Sequence, residues 1–157
     1  MCDDCAQIKA RIMQKQVKQV LFSCTLNAIR SVMAEAIFNK IGPESWKSVS
    51  CGVIAGPPDG FTFAVMEEKG ISLDLNRQPK LFADFNASDI DYAVSLSIEA
   101  KYHLDEWSEL VPHEHWQIKE PFSADGNRET QLKHYRLIRD EISTYVIELI
   151  KRITDNT

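Results

Sequence analysis

The sequence predicts an α/β domain built on a parallel sheet with helices on both faces. Three observations carry this. The apolar run that starts at Val20 and ends on Cys24 reads as a buried strand, and helical periodicity follows it within a short loop. The same strand-then-helix alternation recurs along the chain, the pattern of parallel crossover units. Residues 127–153 close the chain with a single apolar stripe at helical spacing.

Each element has its own signal. Residues 1–17 read as a polar extension, helical in character from Ala6 to Gln16, and residues 18–157 as one domain. Lys18 to Cys24 is the first strand. Ser31 to Ile41 is the first helix, with Met33, Ala36, Ile37 and Ile41 at helical spacing, and Gly42-Pro43 ends it. Trp46 to Val53 is the second strand, followed by the turn-rich Gly56-Pro57-Pro58-Asp59-Gly60. Phe61 to Lys69 is the second helix, closed by Gly70, and a short helix falls near Ser88. Asp91 to Ser97 is the third strand and Ile98 to Trp107 is helical. Glu114 to Ile118 is the fourth strand. The final helix runs from Asn127 to Ile153, its stripe formed by Leu132, Tyr135, Ile138, Ile142, Tyr145, Leu149 and Ile153.

Composition narrows the function. With 157 residues, 44% hydrophobic and 26% charged, the chain has the size and make-up of one ordinary globular domain. Its net charge of −5 and the lack of an aromatic-interleaved basic patch argue against nucleic-acid binding. No apolar run reads as a membrane span. The start, Met-Cys-Asp-Asp-Cys, is not a secretory signal, so the expected location is the cytoplasm. The 4 cysteines, Cys2, Cys5, Cys24 and Cys51, do not form a disulfide framework. Cys2 and Cys5 have the Cys-x-x-Cys form without the second pair that a zinc site needs.

The segment from Val20 to Ser31 holds the chemistry. Strand, short loop and helix start is where a doubly wound fold places an anion. Cys24 there sits in a positive field that favours the thiolate. Arg30 adds a two-pronged contact to the same anion. The ordinary reading of these residues is a buried strand-end cysteine, a capping serine and a surface arginine. Asn27 and Ser31 in the same loop favour a thiolate nucleophile aimed at a phosphate-like group.

With Cys24, Asn27, Arg30, Ser31 and Met33-Ala34-Glu35-Ala36 in register, the segment resembles the low-molecular-weight protein tyrosine phosphatase superfamily, which includes the thioredoxin-coupled arsenate reductases. Ser50-Cys51-Gly52, Pro57-Pro58-Asp59, Glu68-Lys69-Gly70-Ile71, Arg77-Gln78-Pro79-Lys80 and Ser95 to Ala100 fit the same family in order. The resemblance covers the chain from about Gln19 onward. It implies a three-layer α/β/α fold with a four-stranded parallel sheet in order 2-1-3-4, of the phosphotyrosine phosphatase I-like type. It implies a phosphate-binding loop of Thr25, Leu26, Asn27, Ala28, Ile29, Arg30 and Ser31, with backbone N–H groups turned to the oxyanion. Cys24 would attack phosphorus, Arg30 would hold two oxygens, and Ser31 would donate to the sulfur. The family's general acid is an aspartate before proline; here Glu120 precedes Pro121, with Asp125 as the backup and Phe122 as an apolar substrate wall.

The chain also departs from the family. Ile29 stands where many of its phosphatases carry a second cysteine, Leu26 where a glycine is common, and Val32 where a proline often follows the serine. The arsenate-reducing branch relays oxidation through two cysteines after the third strand, and this chain has none beyond Cys51. Cys51 itself reads as core. His113 and His115 lack an evident third metal ligand. The expectation is a metal- and cofactor-independent cysteine phosphomonoesterase acting on a phosphorylated protein, small phosphoester or other oxyanion. The alternatives are an arsenate reductase using an external thiol and a catalytically weak oxyanion-binding protein.

Overall fold

The structure is a computed structural model that describes residues 17–107, 109–121 and 126–155. β1 (Lys18–Cys24) is central, which explains its unbroken apolar run: Val20, Leu21 and Phe22 are fully buried, alternate ones against opposite layers. It pairs in parallel with β2 (Trp46–Gly52) on one side and β3 (Tyr92–Ser95) on the other. β3 then pairs with β4 (His113–His115), giving the order β2-β1-β3-β4. The expected four-stranded parallel sheet in order 2-1-3-4 is therefore present.

Helices α1 (Arg30–Ile41), α2 (Gly60–Glu67) and α4 (Arg128–Asp155) cover one face. Their Met33, Phe38, Val65, Ile142 and Leu149 pack on Val20, Phe22, Val94 and Trp116. Phe22 sits between Phe38 and Trp116, its ring centroid 5.9 and 5.6 Å from theirs. Helix α3 (Ile98–Glu106) and two short 3-10 turns (Phe82–Asp84, Ala87–Asp89) cover the other face, where Leu21, Ala93, Phe82, Ala100 and Leu104 form a smaller layer.

Side-chain caps start three of the four helices: Asp59 accepts from Thr62 N at 2.8 Å before α2, Ser97 from Ala100 N at 3.2 Å before α3, and Asn127 from Glu129 N at 2.8 Å before α4. Gly70, at φ 72°, stops α2 as the sequence suggests, with Ile71 N returning to Met66 O. Among the described residues no helix is long and apolar enough to cross a membrane.

Three element expectations need correction. β4 ends at His115, because Trp116 N still reaches Ser95 O but Ile118 N turns back to Trp116 O. The stripe of α4 takes in Val146, fully buried, and leaves Tyr145 on its margin, where its ring stacks on Trp116. Ile41 ends α1 exposed rather than in the core. The first strand begins at Lys18 as expected; the helical reading of residues 6–16 lies outside the described residues.

Candidate functional site

Cys24 ends β1 at the carboxyl edge of the sheet, and the chain turns through residues 25–29 into α1. Covalent geometry dictates what this turn presents. The carbonyls of Cys24 and Thr25 accept from Val53 N at 3.2 and 2.9 Å, and that of Leu26 from Gly56 N at 3.0 Å. Asn27 O accepts from Arg77 Nη1 at 3.1 Å. Four successive carbonyls are thus held by residues outside the loop. In a planar trans peptide the N–H points opposite to its carbonyl. The N–H groups of Thr25, Leu26, Asn27 and Ala28 therefore face the other way, into the loop. Successive inward N–H groups at a helix N-terminus form a concave anion site.

The close passage of the loop over β2 depends on Gly52, the register partner of Cys24. A Cβ there would lie 2.7 Å from Asn27 N and 2.9 Å from the Leu26 carbonyl carbon. Asn27 makes the sharpest bend, at φ 53°, the positive region that Asn tolerates better than most residues.

Arg30 is the first residue of α1 and is buried. Its Nη1 donates to Leu96 O and Ile118 O, both at 3.0 Å, at the carboxyl ends of β3 and β4. Its Nη2 pairs with Glu120 Oε1 at 3.2 Å. A small cavity lined by Cys24, Leu26, Ala28, Ile29, Arg30 and Glu120 lies between them. The structure thus brings Glu120 to the loop, largely exposed and already on the guanidinium. Phe122 and Asp125 lie outside the described residues, as do Cys2 and Cys5.

Behind the loop runs a buried polar network. Ser31 Oγ lies 2.9 Å from Cys24 Sγ and accepts from Asn27 Nδ2 at 3.0 Å. Asn27 Nδ2 also donates to Ser50 Oγ at 2.9 Å, and Ser50 donates to Glu35 Oε2 at 2.7 Å. Arg77 closes the set, 3.8 Å from Glu35. At the mouth, Thr25 donates its hydroxyl to Glu99 Oε2 at 3.1 Å. The backbone N–H of its own helix turn and the Thr25 hydroxyl hold the Glu99 carboxyl below its ordinary value. The sequence singled out Asn27 and Ser31. It missed Glu99, and it gave Ser50, Glu35 and Arg77 no role beyond family fit, because only the fold brings them together.

Other candidates lie apart. Cys51 pairs with Ser23 in the register, so its side chain points to the face opposite that of Cys24 and packs with Leu21 and Phe82. Burial pushes its thiol well above the ordinary value. It is therefore a core thiol, as expected, on the face of the sheet opposite that of Cys24. His113 contacts Asp105 at 3.2 Å, and His115 Nδ1 lies 2.7 Å from Ser95 Oγ. Between them, Glu114 faces away, toward Tyr92, Trp116 and Arg152. A groove of about 330 Å³ between α1, the end of α2 and α4 holds no residue of the loop.

Comparison with known proteins places the chain. The family model described as low molecular weight phosphotyrosine protein phosphatase matches residues 19–157, and the chain belongs to that family. The glutaredoxin arsenate reductase of Synechocystis sp. is 30% identical over 88% of this chain and 100% of its own length. The arsenate reductase of Bacillus subtilis is 30% identical over 83% of this chain and 94% of its own. Among solved structures, an arsenate reductase in the oxidized state covers 87% of this chain and 98% of that one, with TM-score 0.72 and 30% identity. The YwlE arginine phosphatase from Geobacillus stearothermophilus shares the fold at TM-score 0.72 and 21% identity, covering 88% of this chain and 94% of that one.

Proposed function

We propose that this member of the family is a cysteine-dependent phosphomonoester hydrolase, acting through a thiophosphate intermediate on a phosphorylated protein or small phosphoester. The observation that carries the reading is the loop itself: Cys24, Arg30 and Glu120 line one small cavity with Leu26, Ala28 and Ile29, and the outward-held carbonyls of residues 24–27 turn the N–H groups that follow them into the loop. The bound phosphoryl group takes the Arg30 guanidinium from Glu120. Cys24 Sγ forms the S–P bond as the ester O–P bond breaks. The leaving oxygen takes its proton from Glu120, freed from its ion pair. Water then attacks phosphorus, gives its proton to the Glu120 carboxylate, and the S–P bond breaks to release phosphate.

A second reading uses the same thiolate. The relatives at 30% identity are named arsenate reductases. Cys24 would form an S–As bond with arsenate as water leaves. An external thiol would then attack Cys24 Sγ, forming a mixed disulfide and expelling arsenic as arsenite. A second thiol would restore Cys24. The donor must be external to the described fold, because Cys51 faces the other layer.

The deciding experiment measures vanadate-sensitive hydrolysis of aryl phosphates and, separately, arsenate turnover coupled to glutaredoxin or thioredoxin. Cys24→Ser should abolish turnover while phosphate binding survives, since the backbone donors are unchanged. Glu120→Gln should slow esters with poor leaving groups by about 10²–10⁴-fold and good ones far less. Arsenate turnover without ester hydrolysis establishes the second reading instead. Tight phosphate binding with neither activity leaves a binding protein.

A further inference from the structure

We infer that the groove between α1, α2 and α4 is the docking place of residues 1–16 of the same chain, with Ile8 and Ile12 set into it. The walls of the groove are aliphatic. Ile37 and Ile41 come from the end of α1, Met66 and Ile71 from the end of α2 and just beyond, and Ile147 from α4. Ile41 and Ile147 are exposed, so the apolar surface continues out of the groove. Its volume of about 330 Å³ suits inserted side chains rather than a whole helix. Contiguous apolar surface rimmed by charge marks a place that another segment covers.

The chain supplies that segment at the same edge of the molecule. α1 joins two neighbouring parallel strands and runs back across the sheet, so it ends where β1 and β2 begin. Lys18 N donates to Ser45 O at 2.9 Å, and Ile41 stands four residues before Ser45. Four residues span at most about 14 Å, so the start of β1 lies close to the wall that Ile41 forms. Ile12 precedes Val17 by five residues, a reach of about 8 Å as helix and about 17 Å extended. The family match begins at residue 19, so this segment lies outside it.

Pattern and charge agree with the reach. On the helical reading of residues 6–16, Ile8 and Ile12 are one turn apart and share a face. Lys40 and Lys69 flank the groove in a chain whose net charge is −5. Lys40 Nζ rests on the carbonyls of Lys69 and Gly70, at 3.0 and 3.1 Å, and among the described residues neither ammonium pairs with a carboxylate. Asp4, one helical turn before Ile8, and Asp3 bring two carboxylates to that rim. A second copy would instead carry its own −5 to the same face. The segment, joined to the fold at Val17, arrives at a high effective concentration.

The test is limited trypsin digestion of the full native chain, read by mass spectrometry as the rate of cleavage after Lys15. A docked segment must open before it is cut, so the rate follows its open fraction. Ile8→Asp should raise the rate about tenfold, since a carboxylate cannot replace the buried aliphatic group. Ile147→Asp, at the far end of the sequence, should raise it as much. The two together should do no more than either alone, because each already undocks the segment. Leu137→Asp, exposed on α4 outside the groove, should leave the rate unchanged. If Ile147→Asp does not fold, Ile41→Asp decides by the same criteria. A wild-type rate in the groove variants overturns the inference, and so does an equal rise in Leu137→Asp. A rate that falls as protein concentration rises also overturns it and gives the groove to a second copy.

Discussion

A single guanidinium ties the carboxyl ends of two strands to the candidate site, which sets what Arg30 can be exchanged for. Its Nη1 is spent on Leu96 O and Ile118 O, so the orientation of Nη2 toward the cavity is fixed before any anion arrives. An ammonium could keep one of these contacts but not the fork. Arg30→Lys should therefore cost on the order of 3 kcal/mol in the transition state, roughly a hundredfold in kcat/KM. A loss of less than about threefold in the aryl phosphate assay would make Arg30 peripheral. Gly52 is the second residue with no tolerated replacement. Its Cβ position is occupied by loop backbone, 2.7 Å from Asn27 N, so Gly52→Ala must displace the loop rather than a flexible side chain. The expected cost is about 1–3 kcal/mol in urea unfolding, with a larger proportional loss of turnover than of folded protein. At this scale the sequence was informative where chemistry is local: Cys24, Asn27, Arg30 and Ser31 fall within one loop and helix start. It gave Arg77 and Glu99 no role of their own, because each stood only within a segment that fits the family in order. Their roles exist only because the strand order sets residues 77 and 99 beside the loop.

The elements divide into those whose periodicity declared them and those set by their neighbours. β1, α1 and α4 were legible because each buries a long apolar pattern. β4 was placed too far along because Trp116 and Ile118 are buried like strand residues while the backbone between them turns. What holds that short edge strand is α4. Glu114 accepts from Trp116 Nε1 at 2.7 Å, from Arg152 at 2.8 and 3.0 Å, and from the Tyr92 hydroxyl. Burial alone would raise the Glu114 carboxyl, but these donors outweigh it and hold it below its ordinary value of 4.5. The same contact has the opposite effect on Tyr92, whose phenol burial and the carboxylate push up to about 12. The sign for Glu114 follows. A carboxylate lowered in the folded state stabilises the fold fully above the unfolded value and progressively less as pH falls through the folded one. Glu114→Gln should cost about 1–3 kcal/mol at pH 7. The gap between wild type and variant should narrow as pH falls below the ordinary value of 4.5 and through the lower folded one, as wild-type Glu114 itself becomes protonated. Urea unfolding of both proteins from pH 7 to pH 3 measures it, and a gap independent of pH would mean that packing, not charge, ties α4 to β4.

In the whole molecule, one sheet serves two cores, and this couples the site to the far side of the protein. Neighbouring residues on β1 point into opposite layers: Val20 and Phe22 into the larger, Leu21 into the smaller. β3 repeats the pattern with Val94 and Ala93. Neither layer can open without unpairing strands that the other also needs, and β1 ends on Cys24. The loop therefore has no stability separate from that of the sheet. The alternation also explains why the fold was readable before the site was complete: burial on two faces produces apolar runs, whereas the contacts across the loop leave no periodic trace. A single cooperative transition is expected. Trp116 reports on the larger layer and Trp107 packs against the smaller. In variants that keep only one of these tryptophans, with Trp46 also changed to Phe, the fluorescence midpoint in urea should coincide with that variant's own far-ultraviolet circular dichroism midpoint. Phosphate should raise both by the same amount, because a ligand at the loop stabilises the one folded state it binds. A Trp107 transition that precedes the loss of secondary structure, or that phosphate leaves unmoved, would mean that the smaller layer and α3 unfold on their own and that the loop depends only on the larger layer.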